Sequence, residues 1–227
     1  IAGVGMMLLV GYAGQISLAP MTFVGIGAIV MAQIGKDGST PGAVIVALAV
    51  CAVVGALVAL PALRLSGIYL ALATAAFSLM MSKVVFSQPK LVSGGTIAVP
   101  PLDLGVFVPR TNQQQALLLA VSFALLGMFV VWMRNGSWGR RLIAMKDSPV
   151  ACATLGLDLT RTKIGVFALS ASIAGLAGAL ANRSMPTTDY DLLASMSLTT
   201  LAVVGGIGAI GGALFGGFLL GTVQGLI

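Results

Sequence analysis

Residues 42–63 read GAVIVALAVCAVVGALVALPAL, 22 residues without one charge. As an α-helix rising ~1.5 Å per residue, such a run is about as long as the ~30 Å hydrocarbon core of a bilayer is thick. No water reaches the backbone there, so a spanning segment has to satisfy its own N–H and C=O groups, which a helix does. The same reading applies to 17–34, 67–86, 116–134 and 164–182, and residues 1–11 read as the end of a further helix. The last run, 195–227, is too long for one unbroken span. Its VVGGIGAIGG stretch predicts a half-helix, a break at Gly205 and Gly206, and then a full helix. The expected fold class is all-α, a polytopic transmembrane helix bundle with broken helices, forming a single domain over residues 1–227.

Composition removes several functions. The chain is 58% hydrophobic and 8% charged, against ~45–50% and ~25% in soluble domains. It holds no Glu and no His, the commonest general bases and metal ligands. Asp103, Asp189 and Asp191 read as solvated loop charge, so no catalytic residue, no metal site and no enzyme activity are expected. Cys51 and Cys152 do not resemble a disulfide or zinc framework. The sequence opens on IAGVGMMLLVG, inside an apolar run, without Met, a charged n-region or a cleavage site. It does not read as a signal peptide. One or more helices are expected to be missing by trimming at the N-terminus.

The net charge of +6 bears on topology rather than on nucleic acid. If each span reverses the chain, the loops near 12–16, 64 and 135–163 share one side. That side carries Arg64, Arg134, Arg140, Arg141, Lys146, Arg161 and Lys163; the other carries Lys36, Lys83, Lys90, Arg110 and Arg183. Positive loops stay in the cytoplasm, so 135–163 is expected there. Of the opposite loops, 87–115 is long and rich in Pro, Gly and Ser, and its TIAVP and GVFVP pieces predict a small hairpin.

Five of those cations fall within GRRLIAMKDSPVACATLGLDLTRTK, residues 139–163. Ser148 suits an N-cap, Pro149 a first helical position, and Asp147 the positive end of a helix dipole. PVACATL then makes about two turns, and Gly156 suits a left-handed C-cap. The result is a short, bounded helix whose small apolar body, Val150, Ala151, Cys152, Ala153 and Leu155, suits docking into a partner's groove.

This stretch resembles the cytoplasmic coupling segment of ABC-importer permeases, and more narrowly that of branched-chain amino-acid importers of the LivM-like type. The matching elements are Gly139-Arg140, Ala144-Met145-Lys146-Asp147, Ala151-Cys152-Ala153, Leu155-Gly156 and Lys163. GYAGQISLAPMTFVGIGA (11–28), RLSGIYLALATAAFS (64–78), VSGGTIAVP (92–100), FALSASIAGLAGAL (167–180) and VVGGIGAIGGALFGGFLL (203–220) are similar to further segments of that family, in the same order. Ser93 stands for the usual Thr, and Pro149 and Ala153 stand where acids are common. The resemblance implies an inner-membrane subunit of a bacterial importer that pairs with a second permease. It also implies docking of two cytoplasmic ATP-binding subunits on the short helix and delivery of substrate by an extracytoplasmic solute-binding protein. This chain would bind no cofactor; the partner subunits would use ATP.

GIGAIG (206–211) matches a dinucleotide fingerprint only in letters, because no acidic residue follows it. Gly208, Gly212 and Gly216, like Ala171, Gly175 and Ala179, repeat every four residues and suit close helix packing. A second helix break is expected between Gly11 and Pro20. Gln15, Ser17, Tyr69, Thr74, Ser78, Thr199 and Thr200 are the polar residues expected on or near the substrate pathway. No acid falls inside a span, which speaks against proton coupling. Branched-chain amino acids lead as substrates, with urea and short amides next, and an autonomous carrier or channel is the remaining class.

Overall fold

The structure, a computed structural model, describes residues 1–35, 41–62, 65, 67–89, 91–92, 94–102, 109, 111–181 and 184–206. The chain is mostly helical. Helix α1 (Ala2–Met6) runs on as a π-helical turn over Met7–Tyr12. There follow α2 (Pro20–Ile34), α3 (Pro41–Ala62) and α4 (Ile68–Val84). Strand β1 (Thr96–Ala98) precedes α5 (Asn112–Asn135), α6 (Ser137–Asp147), α7 (Pro149–Thr154) and α8 (Leu159–Ala179). Strand β2 (Ser184–Pro186), a 3-10 turn (Thr187–Tyr190) and α9 (Leu192–Val204) complete the described chain. Pro41–Pro61, α5 and α8 are long and apolar enough to cross a membrane; α2, α4, α9 and Ala2–Tyr12 are shorter apolar helices.

The core is the packing of α2 and α3 on α8. Small residues make it possible. A Cβ on Gly27 would fall on the Gly175 carbonyl, one on Gly175 on the Cys51 sulfur, and one on Gly178 on the Val24 carbonyl. Backbones this close gain packing that lipid cannot offer. Ser172 Oγ donates to Leu48 O at 3.3 Å and Ser170 Oγ to Gly5 O at 2.7 Å, tying α8 to α3 and to α1. Outward faces carry large apolar side chains such as Ile45, Leu57, Leu72 and Leu125, as a lipid-facing surface requires.

Two sets of loops separate onto two faces. On one face β1 pairs antiparallel with β2, Ile97 opposite Met185, and Phe86 meets Tyr190 edge-on at 6.2 Å. On the other, Ala13–Gln15, Leu65, Gly67, Met145, Lys146, Pro149 and Lys163 line one cavity of about 290 Å³. So α4, α5 and α8 each run from one face to the other, as reversal at every span requires.

Several boundaries differ from the sequence reading. The TIAVP strand takes β2, from the loop after α8, as a partner; residues 105–108 of GVFVP, the expected hairpin partner, lie outside the described residues. The second helix starts at Pro20 rather than at 17. Pro at its first position fits a helix start, and the residue before a Pro is kept out of helical geometry; Ala19 has φ −118°. Helix α5 starts at Asn112, not 116, its turn closed by Gln114, whose Oε1 accepts from Thr111 N–H at 3.3 Å. Helix α9 ends at Val204 and Gly206 takes φ +106°; the full helix expected after them lies outside the described residues. Gly208, Gly212 and Gly216 lie outside the described residues.

Candidate functional site: a helix break and the charged segment beside it

Between Tyr12 and Pro20 the first hydrophobic region is not helical. The π turn ends with Gln15 N–H donating to Leu9 O at 3.1 Å, and Gly14 takes φ +65°. Where the chain leaves the helix, backbone groups lose their helical partners. Neighbouring helices supply them. Leu18 N–H donates to Thr74 Oγ1 on α4 at 2.9 Å, and Thr74 passes its own hydrogen to Ala71 O at 2.9 Å. Helix α2 has Ala19 at its N-cap, which has no side-chain acceptor. Ser195 on α9 takes that role at a distance of 174 residues, accepting from Met21 N–H at 3.2 Å. Thr22 and Ser78 share a hydrogen at 2.6 Å. Ser17, Thr22, Thr74, Ser78 and Ser195 are all buried, so five hydroxyls from three helices and the break itself converge on one stretch of irregular chain.

On the face that holds Gly14, the charged segment folds as two helices, not one. Helix α6 buries Gly139, Leu142 and Met145 and exposes its cations. That spacing of three was legible in GRRLIAM, but the charge density masked it. Asp147 is the last residue of α6 and directly precedes Ser148, the N-cap of α7. Ser148 joins the two helices in extended geometry and caps α7, its side chain accepting from Ala151 N–H at 3.3 Å. Pro149 occupies the first position, as expected. At the other end Leu157 N–H reaches Cys152 O at 3.0 Å and Gly156 N–H reaches Ala153 O at 3.1 Å, with Gly156 at φ +77°. This bond pair is a Schellman cap. Cys152 is buried against the bundle, while Val150 and Leu155 are 75% and 80% exposed. Asp158 then caps α8 through Arg161 N–H at 3.0 Å.

A helix bundle with a hydroxyl-held break and a capped helix on its charged face has the parts of a transport permease. The family described as branched-chain amino acid transport system, permease component, matches residues 1–227. The chain belongs to that family. It is similar to the high-affinity branched-chain amino acid transport permease LivM of Salmonella typhimurium, at 27% identity over 92% of this chain and 56% of the relative. It is similar to LivH of Escherichia coli, at 28% over 57% of this chain and 46% of the relative. A weaker likeness, 25% over 47% of this chain and 29% of the relative, links it to the xylose transport permease XylH of Escherichia coli. The chain spans about half the length of the LivM and LivH proteins it matches. No solved structure matches it.

In this permease, Ser17, Thr74 and Ser78 gather at the break, joined by Thr22 and Ser195. The last two carry the same signal as the others, a hydroxyl in an apolar run, and went unread. Gln15 stands half-buried at the 290 Å³ cavity with Lys146 and Lys163. Tyr69 is 70% exposed at the start of α4. Thr199 and Thr200 bond back to their own helix, at Ser195 O and Met196 O. On the opposite face a cavity of about 710 Å³ is lined by Met21, Asn112, Gln115, Met185 and Tyr190 among others. The Tyr190 hydroxyl is buried without a partner among the described residues. Burial, with Asp189 adding to it, pushes its phenol up to about 12.

Proposed function

We propose that this permease forms, as one domain over residues 1–227, half of the pathway of an ATP-driven importer for branched-chain amino acids in the bacterial inner membrane. A second permease subunit would supply the other half. An extracytoplasmic solute-binding protein would deliver substrate on the face of β1 and β2. Residues 135–163 would lie in the cytoplasm, and two ATP-binding subunits would bind and use the ATP. The observation that carries the reading is α7, a helix capped at both ends, set among cations, with Val150 and Leu155 exposed. Exposed apolar side chains on a short rigid helix fit a groove on a docking partner.

Ser17, Thr74 and Ser78 would lie on or near the pathway, with Thr22 and Ser195. Their hydroxyls are uncharged, which also suits a neutral polar solute, so urea and short amides form the second reading.

The test is uptake of labelled leucine and of labelled urea into proteoliposomes that hold the complete complex, with and without ATP. Leucine uptake that needs both ATP and the binding protein supports the first reading. ATP-dependent urea uptake moves the assignment to the second. Uptake of either without ATP identifies a carrier or channel and overturns both.

A further inference from the structure

Two cations reach the helix break, Lys146 in the last turn of α6 and Arg134 in the last turn of α5, where α6 packs on it. At the C-terminal end of α6, Lys146 Nζ donates to the carbonyl of Gly11 at 2.9 Å. At the other end of α6, Gly139 packs on the backbone of Arg134 of α5, whose guanidinium lies 5.5 Å from the centre of the Tyr12 ring. Gly11 and Tyr12 are consecutive, and they close the π turn from which the chain leaves helical geometry. The chemistry fits the place. The last carbonyls of a helix carry partial negative charge and attract cations, and a guanidinium over a tyrosine face is held by the ring's quadrupole. The stem of Lys146 also lies along Gly14, where a Cβ would stand 3.1 Å from the Lys146 Cγ.

The rest of α6 is one continuous helix packed along the bundle. Leu142 is fully buried and Met145 nearly so. Trp138, at the far end, packs on Gly165 of α8, which leaves no room for a Cβ. Only Ser148 separates α6 from α7. A displacement of α7 therefore reaches Lys146 through two residues, and reaches the backbone of the break through one hydrogen bond. Beyond the break the chain is held by Thr74 of α4 and Ser195 of α9.

We propose that Lys146 and Arg134 are positioning residues that carry the motion of α7 into the helix break, Lys146 through the Gly11 carbonyl and Arg134 through the Tyr12 ring. The inference rests on the coupling role given to α7 above. Neither residue touches substrate.

The experiment measures solute taken up per ATP hydrolysed in the complete complex, with leucine or urea, whichever the wild-type complex carries. Lys146→Met is expected to keep assembly and ATP hydrolysis while uptake per ATP falls roughly 10-fold, within the ~5–150-fold span of ordinary inter-site couplings. Lys146→Arg, which keeps a cation able to donate to the carbonyl, is expected to recover most of it. A merely structural role would lower the amount of complex without changing that ratio. Tyr12→Leu, which leaves every backbone contact in place, is expected to lower the ratio less than Lys146→Met does. If Lys146→Met does not assemble, Tyr12→Leu decides, and an unchanged ratio there overturns the proposal. An unchanged ratio in an assembled Lys146→Met complex also overturns it. Wild-type uptake that ignores ATP would instead defeat the importer reading on which the proposal stands.

Discussion

The packing of α2 and α3 on α8 and the break around Gly14 solve the same problem, the pairing of a polar backbone in a mostly apolar protein, in opposite ways. In the first, regular helices satisfy their own backbones and glycines bring them into contact, so that Gly27, Gly175 and Gly178 have no room for a methyl group. In the second, the backbone leaves the helix and borrows its partners one at a time, from Thr74, Ser195 and Lys146. A region packed by backbone contact has one arrangement. A region held by single hydrogen bonds from three other elements can exchange partners when those elements shift. The permease thus joins a rigid frame to a stretch of chain that takes its shape from its neighbours.

The comparison can be broken at either end. Gly178→Val, which would drive a side chain into the Val24 carbonyl, is expected to cost at least ~3 kcal/mol by overpacking and to leave no folded permease in a thermal-unfolding assay. A folded variant would mean that the frame yields. Thr74→Val keeps the shape but takes the acceptor from Leu18 N–H. It is expected to cost about 1–3 kcal/mol, and to lower uptake while the protein remains folded. Equal stability and uptake would show that the break does not depend on its borrowed partner.

Gly156 sharpens the contrast, because the space around it is open. The cost of Gly156→Val is conformational only, about 1–2 kcal/mol for a left-handed backbone, and it should fall on the cap of α7. Uptake per ATP is expected to drop. Gly156→Asn, which tolerates that conformation, should remain close to wild type, and equal effects of the two would exclude the cap as the cause. The smallest effect is expected for Tyr190→Phe. Removing a buried hydroxyl without a partner should leave stability within about 1 kcal/mol of wild type or raise it. A clear loss of uptake would reveal a partner that binds the hydroxyl during transport.

Much of this organisation was legible because it is local. A long apolar run needs no neighbour to be a helix in lipid, and Ser148, Pro149 and Gly156 act within one turn of the helix they bound. The break before Pro20 was legible for the same reason, from glycines, polar residues and a proline. Helix α6 was missed, although Leu142 and Met145 lie at helical spacing, because its cations read as a loop. The pairing of β1 with β2 was not legible, because strand pairing is a choice between segments, and β2 lies on the far side of two long helices.

The sequence by itself determined the membrane class, the alternation of faces and the two ends of α7, since hydrophobic length, charge position and cap chemistry are properties of short stretches. Only the tertiary structure decided which side chains hold the break. Ser195 caps a helix that starts 174 residues earlier, and Lys146 reaches a carbonyl 135 residues away. Nothing in the local sequence of Ser195 or Lys146 distinguishes them from any other helical serine or flanking lysine. Their roles come from the close approach of helices, which the glycines permit and which no single segment specifies.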